Sequence, residues 1–473
     1  MSKKKKEGFG AFDLFALGFG AIIGVGWSIT LHRFSINGGG PIPASLAFLA
    51  SMVLFIPIAL VFAELASAVP VAGGVVAYAQ RSFGRKAAFV AGWFLTMSYL
   101  EILPLETISI TEVLAGIVPF LRSGPILYRI AGSDIYLYSA IVGVLLACII
   151  ILINRRGTNA IARFQSSLTL LLIITASASI LICATKAKAL NLLPLYTPME
   201  GKAHTSFLTG IIAVCALTPQ FYAGFDTIPQ SIEEAGGVEK KKVGRIVVLT
   251  LIVAGLFYAL IITASASAIP WQQLIVLPIP VLSNLMSELY PGFLGKAMYW
   301  ITMLGALSGL FTTWNSFYVA GGRLLMSLGR YKLIPASFAK VNERNVPYVA
   351  NVLCSVIMLL GPLLGIGVID ILGIIGSFGF TIGWMISCLA FLKMRKSEPD
   401  LPRPYFVKNG EFVAGFGAFT CAVMMVNCIA PFMPGYMGNF GLLAVVIWTV
   451  LGVVFFVITD KKHRSEEFNR PQC

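Results

Sequence analysis

The sequence contains few charged residues for its length. Only 12% of its 473 residues are Asp, Glu, Lys or Arg, whereas 57% are hydrophobic; soluble domains carry charge at about a quarter of their positions. The three histidines lack the partners of a catalytic pair or metal site, and the eight cysteines form no CxxC pair. These deficits argue against a soluble fold, a disulfide framework, a bound cofactor and an enzyme.

Long apolar runs occupy most of the chain, and the mean hydropathy is +0.85. We count twelve runs of roughly 18 to 25 residues, each long enough as a helix to cross a hydrocarbon layer of about 30 Å. The sequence therefore predicts an all-α polytopic membrane protein with about twelve transmembrane helices.

The basic residues are distributed unevenly between the two sides of the predicted bundle. The net charge of +14 could indicate nucleic acid, but most Lys and Arg residues fall in alternate loops, beginning with the lysine run at residues 3–6. This asymmetry predicts no nucleic-acid partner and places both termini in the cytoplasm of a multi-pass cell-membrane protein. Only seven of the 35 lie on the other side: Arg33, Arg122, Arg129, Lys186, Lys188, Lys202 and Lys296.

The first and sixth predicted helices are interrupted at matching positions. Helix one contains Gly20, Gly24 and Gly26, and helix six contains Pro219, Gly224 and Pro229. Because these helices begin successive sets of five, the pattern predicts an inverted 5+5 repeat followed by two C-terminal helices. The predicted segments are an N-terminal tail (1–10), a first repeat (11–184), an extracellular loop (185–206), a second repeat (207–392), a cytoplasmic loop (393–411), helices 11 and 12 (412–459) and a C-terminal tail (460–473).

A break within a membrane helix exposes backbone groups that can bind a zwitterion. Amides that begin the second half of helix one can hold a carboxylate. Carbonyls that end its first half, with those of helix six, can hold an ammonium group. We therefore predict a cavity between the two breaks, although glycine and proline also occur in ordinary helix packing.

Several stretches resemble, in register, the amino acid, polyamine and organocation (APC) transporter superfamily. Ile22-Ile23-Gly24-Val25-Gly26 is similar to the GSG-type break of that family's first helix. Further similar stretches, within about residues 8–410, are Ala63-Glu64-Leu65-Ala66, Pro70, Gly73-Gly74, Tyr78, Gly84, Gly92-Trp93, Asn154-Arg155-Arg156-Gly157, Arg323 with Pro335 and Pro347, and Arg403-Pro404-Tyr405.

The resemblance implies a LeuT-like fold, in which helices one, two, six and seven rock against the rest to give alternating access. It also implies which residues hold the substrate. Val25 replaces a common serine, which removes a hydroxyl but leaves the backbone amide. The implied carboxylate contacts are Gly24, Val25 and Gly26, and the implied ammonium contacts are Ile23, Gln220, Phe221 and Ala223.

Other side chains near the breaks allow more than one interpretation. Phe221 and Tyr222 match an aromatic gate or simply pack in the bundle. Asp226 could form an ion pair, take part in proton movement or cap the second half of helix six. Glu101 could meet a cationic substrate or carry a proton, whereas Glu112, like Glu106, could lie in water near the outer surface.

The coupling ion is not determined by the sequence. Members of the superfamily that couple transport to protons, or that exchange one substrate for another, often carry a lysine in helix five. Leu172 stands at that position here. Thr312, Thr313 and Ser316 of helix eight could instead hold Na⁺ with helix-one carbonyls, or serve only in packing. Both H⁺ and Na⁺ coupling stay open.

These observations predict a permease or exchanger, a symporter or antiporter, for neutral amino acids. The alternative is an amine or polyamine transporter that uses Glu101 and Asp226. A channel or a nutrient sensor on a transporter scaffold is a more remote interpretation. The expected partners are a small-molecule substrate and the lipid bilayer.

Overall fold

The computed structural model describes residues 9–29, 31–202, 204–235 and 237–468. This part of the chain is almost entirely helical, and one two-stranded hairpin, β1 (Ile126–Ile130) and β2 (Ser133–Tyr136), is present within it. The α-helices are α1 (Ala11–Ile22), α2 (Leu31–Gly38), α3 (Pro41–Ala68), α4 (Gly74–Phe83), α5 (Arg85–Ile117), α6 (Leu137–Arg155), α7 (Thr158–Ala184), α8 (Phe207–Cys215), α9 (Thr218–Tyr222), α10 (Thr227–Gln230), α11 (Lys240–Ala268), α12 (Trp271–Leu274), α13 (Val281–Leu289), α14 (Gly292–Arg330), α15 (Tyr348–Leu360), α16 (Ile369–Ser397), α17 (Gly410–Ile429) and α18 (Gly438–Phe468).

Eight of these helices are long and apolar enough to cross a membrane by themselves: α3, α5, α6, α7, α11, α16, α17 and α18. The remaining spans are the broken pair α1–α2, the broken series α8–α10, the 39-residue α14 and the shorter α15. The predicted all-α polytopic fold is therefore confirmed. Where the first and second repeats begin and end stays a prediction.

Both predicted helix breaks are present. The first helix stops at Ile22, passes through a short 3-10 turn at Val25–Trp27 and resumes at Leu31. The sixth helix is divided into three short pieces, and Gly224 between α9 and α10 has a φ of +147°. Such a backbone conformation is nearly restricted to glycine, so Gly224 permits the second break.

The helices that carry the breaks pack against long continuous helices. Helix α1 contacts α7, α11 and α14, while α9 contacts α16. The central helix α5 is mostly buried between α14 and α16, whereas α18 exposes most of its apolar surface, as expected for contact with lipid. The site is thus held by helices whose other faces are already packed.

Several helices extend beyond the apolar runs that predict them. Helix α7 begins at Thr158, before its run at 164–184. Helix α14 continues to Arg330, past its run at 292–322, and α18 continues to Phe468, past its run at 438–459. The segment 270–291 contains four prolines, which predict a broken, partly helical outer loop, and it forms the short helices α12 and α13. The N-terminal tail lies mostly outside the described residues, as do residues 469–473.

Candidate substrate site

A cavity of about 580 Å³, including its open side, lies at the first helix break. Helix α1 contributes Ala21 and Ile22, and Gly24 follows where the helix ends. Helix α9 contributes Gln220 and Phe221 from the second break. The two breaks therefore share one cavity, as the sequence predicts.

The opposite walls of the cavity are largely apolar. They are formed by Ile102 and Leu105 of α5, Phe317 of α14, and Ile369 with Gly373 of α16. These side chains offer dispersion contacts but no charge, so they suit an aliphatic group.

Glu106 of α5 also lines the cavity and places a carboxylate close to the first break. Glu106 is 1% exposed, and a Cβ atom placed on Gly24 would lie 2.7 Å from Glu106 Oε1. The acidic group of α5 therefore lies directly against the helix-one break, where the sequence predicts a substrate carboxylate.

Backbone groups of the first break are partly occupied by neighbouring side chains. Tyr258 of α11 donates its hydroxyl hydrogen to the Ile22 carbonyl over 2.9 Å. A Cβ on Gly26 would lie 2.6 Å from the same hydroxyl oxygen and 2.9 Å from Phe221 Cδ1. Only glycine fits between these two rings, which explains the residue type at position 26.

The structure separates the predicted residues of helix six into two groups. Gln220 and Phe221 line the cavity, and the Gln220 amide donates to Ser377 Oγ over 3.2 Å. Tyr222 is fully buried elsewhere and donates its hydroxyl hydrogen to the Phe48 carbonyl over 2.7 Å. Of the two aromatic side chains, Phe221 alone is placed to close the cavity.

Asp226 lies behind the cavity, where it is completely buried. Its Oδ2 accepts hydrogen bonds from the Tyr99 hydroxyl at 2.8 Å and Trp384 Nε1 at 3.2 Å, while Oδ1 accepts from the Gly224 amide at 2.9 Å. These contacts fix the backbone of the second break and direct both carboxylate oxygens towards protein.

Glu101 also lies outside the cavity lining. A Cβ on Gly376 would meet both the Glu101 carboxylate and the Gln220 side-chain oxygen, so these two groups lie close together beside Gly376 of α16. Gln220 lines the cavity and Glu101 does not. Glu101 therefore lies behind Gln220, next to the cavity but outside its lining.

Ile23 and Ala223 are buried residues that make backbone contacts near the breaks. The Ile23 amide donates to the Phe19 carbonyl over 3.0 Å, and the Ala223 amide donates to the Pro219 carbonyl over 2.9 Å. Val25 belongs to the short 3-10 turn that follows Gly24. The role of each as a substrate contact stays a prediction.

The predicted cation ligands of α14 face the carbonyls of α1. Thr313 Oγ1 donates to the Gly20 carbonyl over 2.7 Å, and Ser316 Oγ donates to the Leu17 carbonyl over 2.9 Å. Thr312 donates within its own helix, to Gly309 over 2.9 Å. Oxygens of the kind that Na⁺ prefers therefore meet near Gly20, whereas Ser316 lies about one turn away.

An ion pair that the sequence analysis did not predict borders the cavity. Arg33 Nη1 of α2 lies 2.7 Å from Asp370 Oδ1 of α16, and both residues line the cavity. Their separation by 337 positions leaves no local signal in the sequence. The charge count placed Arg33 on the outer side without a partner.

Two broken helices around one cavity in a membrane bundle are the arrangement expected of a transporter. The profile of the family described as amino acid permease matches residues 9–458. The chain belongs to this family, which is part of the APC superfamily.

Curated relatives of the chain include transporters with different named substrates. The branched-chain amino acid permease BcaP of Bacillus subtilis (strain 168) is 25% identical over 472 residues, 98% of this chain and 94% of the relative. The methylthioribose transporter of the same organism is 25% identical over 98% of this chain and 95% of the relative. Its aspartate-proton symporter is 23% identical over 84% and 75%, respectively.

Proposed function

We propose that this chain is a secondary transporter that moves neutral amino acids by alternating access. The observation that carries this proposal is the cavity shared by two helix breaks, with peptide groups at one side and an apolar wall at the other. The peptide groups suit the common part of an amino acid, and the wall suits its side chain.

The apolar wall favours an aliphatic substrate side chain. A charged side chain that packs on Ile102, Leu105 and Phe317 would find no counter-ion or hydrogen-bond partner on that wall, which is costly in a low-dielectric site. The names of the relatives do not indicate which substrate this chain carries, since they include branched-chain amino acids, aspartate and methylthioribose.

The amine or polyamine alternative is less well supported. It relies on Glu101 and Asp226, yet both lie outside the cavity lining, and Asp226 is held by three hydrogen bonds from protein. Glu106 could accept one ammonium group, but the second carboxylate in the lining, Asp370, is already paired with Arg33. A diamine would therefore gain less in this cavity than a neutral amino acid.

For coupling, we propose a proton carried by Glu106. Its carboxylate lies against Gly24, where the helix-one amides would also receive the substrate carboxylate. Two carboxylates cannot share a small site in their ionised forms without strong repulsion. Protonation of Glu106 would therefore accompany substrate binding, and release of both on the other side would couple the two fluxes.

A transport assay with the purified chain in liposomes tests these proposals. Labelled branched aliphatic, small neutral, acidic and basic amino acids and a diamine are compared, with and without Na⁺ and with a pH gradient in either direction. We expect uptake of aliphatic amino acids that the pH gradient drives without Na⁺.

Uptake of the diamine alone would refute the substrate proposal, and strict dependence on Na⁺ would favour the threonine site near Gly20. Binding without transport would favour a sensor.

A further inference from the structure

A second cavity lies directly beyond the outer ion pair. It measures about 670 Å³, including its open side, and we call it the vestibule. Asn37, Leu217 and Asp370 line both the vestibule and the central cavity, so they form the wall between them. Asp370 therefore contacts both spaces while it pairs with Arg33.

The vestibule has charged and polar groups of its own. Lys202 and Tyr436 line it, together with His204 from the loop that precedes α8. Lys202 is exposed, and the salt bridges of the described residues do not include it. The vestibule thus combines an accessible ammonium group with the carboxylate of Asp370.

The loop that carries Lys202 is attached to the outer half of the first helix. His204 Nε2 lies 3.2 Å from the Ile36 carbonyl, and the Tyr196 hydroxyl lies 3.3 Å from His204 Nδ1. The Thr197 amide donates to the Gly39 carbonyl over 2.7 Å. These contacts hold Lys202 beside the same helical segment that presents Arg33.

We propose that the vestibule is an entry site for zwitterionic amino acids, in which Lys202 binds the carboxylate and Asp370 binds the ammonium group. This inference rests on the proposed function, since it concerns the same substrate class. A zwitterion is the matching ligand because it supplies one charge of each sign to two opposite charges.

Binding in the vestibule would also loosen the outer ion pair. A substrate ammonium group competes with Arg33 for Asp370, and Arg33 is then available to the substrate carboxylate as the molecule moves inward. Each charge of the substrate keeps a partner of opposite sign during the exchange, which keeps its cost low at the edge of the membrane. An uncharged solute or a simple amine could not make both exchanges.

The test compares Lys202→Gln with Lys188→Gln in the full chain reconstituted in liposomes. Lys188 belongs to the same predicted outer loop and is exposed, but it lines neither cavity. For the neutral amino acid that the wild type transports best, we expect Lys202→Gln to raise KM about two- to fivefold, the range of an exposed ion pair. The maximal rate stays unchanged, Lys202→Arg restores KM, and Lys188→Gln has no effect.

Two further measurements distinguish substrate binding by Lys202 from a purely structural role of this residue. Increasing ionic strength should raise the KM of the wild type more than that of Lys202→Gln, because salt screens exposed charges and the variant keeps only the Asp370 contact. Inhibition by an amine that lacks the carboxylate should be equal in both proteins. The inference would be overturned if Lys202→Gln left the KM unchanged. It would also be overturned if the variant weakened inhibition by the amine as much as it weakened binding of the amino acid. Failure of the wild type to transport any amino acid would instead overturn the proposed function.

Discussion

At the scale of single residues, Gly224 determines how the two broken helices cross. A Cβ atom there would lie 2.7 Å from the Gly18 carbonyl oxygen and 2.9 Å from the Ile22 amide nitrogen, at a φ of +147°. Backbone atoms cannot move aside as a flexible side chain can. The space between α1 and α9–α10 therefore admits hydrogen but not a methyl group.

We expect Gly224→Ala to abolish transport and to lower the melting temperature in detergent. Backbone strain of this kind costs about 1–3 kcal/mol, and the clash adds to it. Gly415→Ala on α17 is the matched control, because no atom lies within 4 Å of its Cβ position. If both variants transport at the wild-type rate, the close crossing is not required.

Glu106 provides a second prediction at this scale. Glutamine keeps the shape of the side chain but cannot release a proton, so Glu106→Gln should abolish accumulation driven by a pH gradient. Exchange of labelled for unlabelled substrate should persist, since exchange needs no net proton movement. Uptake and counterflow in liposomes measure the two activities.

Glu112→Gln is the control for that variant. Glu112 lies on the same helix but pairs with Arg122 at 2.5 Å near the outer end, where half of the Arg122 side chain is exposed. We expect little change in either activity. Persistent proton-driven accumulation by Glu106→Gln would exclude Glu106 as the proton carrier.

At the scale of helices, Glu64 attaches the segment after α16 to α3. Its side chain is 2% exposed and accepts hydrogen bonds from Arg395 Nη2 at 2.6 Å and from the Val407 amide at 2.7 Å, with Arg403 Nε 3.2 Å away. Glu64 and Arg403 both occur in the motifs that resemble the APC family. Their pairing follows only from the packing of these elements.

Glu64→Gln should destabilise the protein by about 3–5 kcal/mol, because two largely buried guanidinium groups lose their counter-ion. Thermal unfolding in detergent measures this loss. Glu343→Gln removes a charge of the same sign from an exposed loop and should leave the melting temperature unchanged. Equal melting temperatures for the two variants would mean that the pair contributes little.

At the scale of the whole molecule, the proposed alternating access would require the outer ion pair to separate in each cycle. Arg33 and Asp370 belong to α2 and α16, which the resemblance assigns to moving and static parts. A protein with cysteine at both positions, linked by a short bifunctional thiol reagent, should lose transport. Each single-cysteine protein treated with the same reagent is the control, and undiminished transport by the linked protein would contradict alternating access.

Much of the fold was predictable because its signals are local. Apolar runs give the spans, and glycine and proline within a few residues of each other give the breaks at Gly24 and Gly224. The limits of α14 and α18 were less predictable, since polar helix can continue beyond the apolar run. Helical hydrogen bonds do not depend on side-chain hydropathy.

The site was predictable only in part. Backbone groups at the breaks and the adjoining Gln220 and Phe221 were identified from sequence, whereas the acidic residue singled out on helix three, Glu101, lies outside the cavity that Glu106 lines. Five positions correspond to about 140° around a helix, so only the packing of α5 could decide which carboxylate lines the cavity.

The sequence by itself determined that the chain crosses a membrane repeatedly and that two of its helices are interrupted. These properties depend on the solvation of short segments, which residue type and spacing control. Only the tertiary structure decided that Arg33 meets Asp370 and that Lys202 shares a vestibule with that carboxylate. Such contacts depend on how helices far apart in the chain pack, because ion pairing acts over distances in space and not along the sequence.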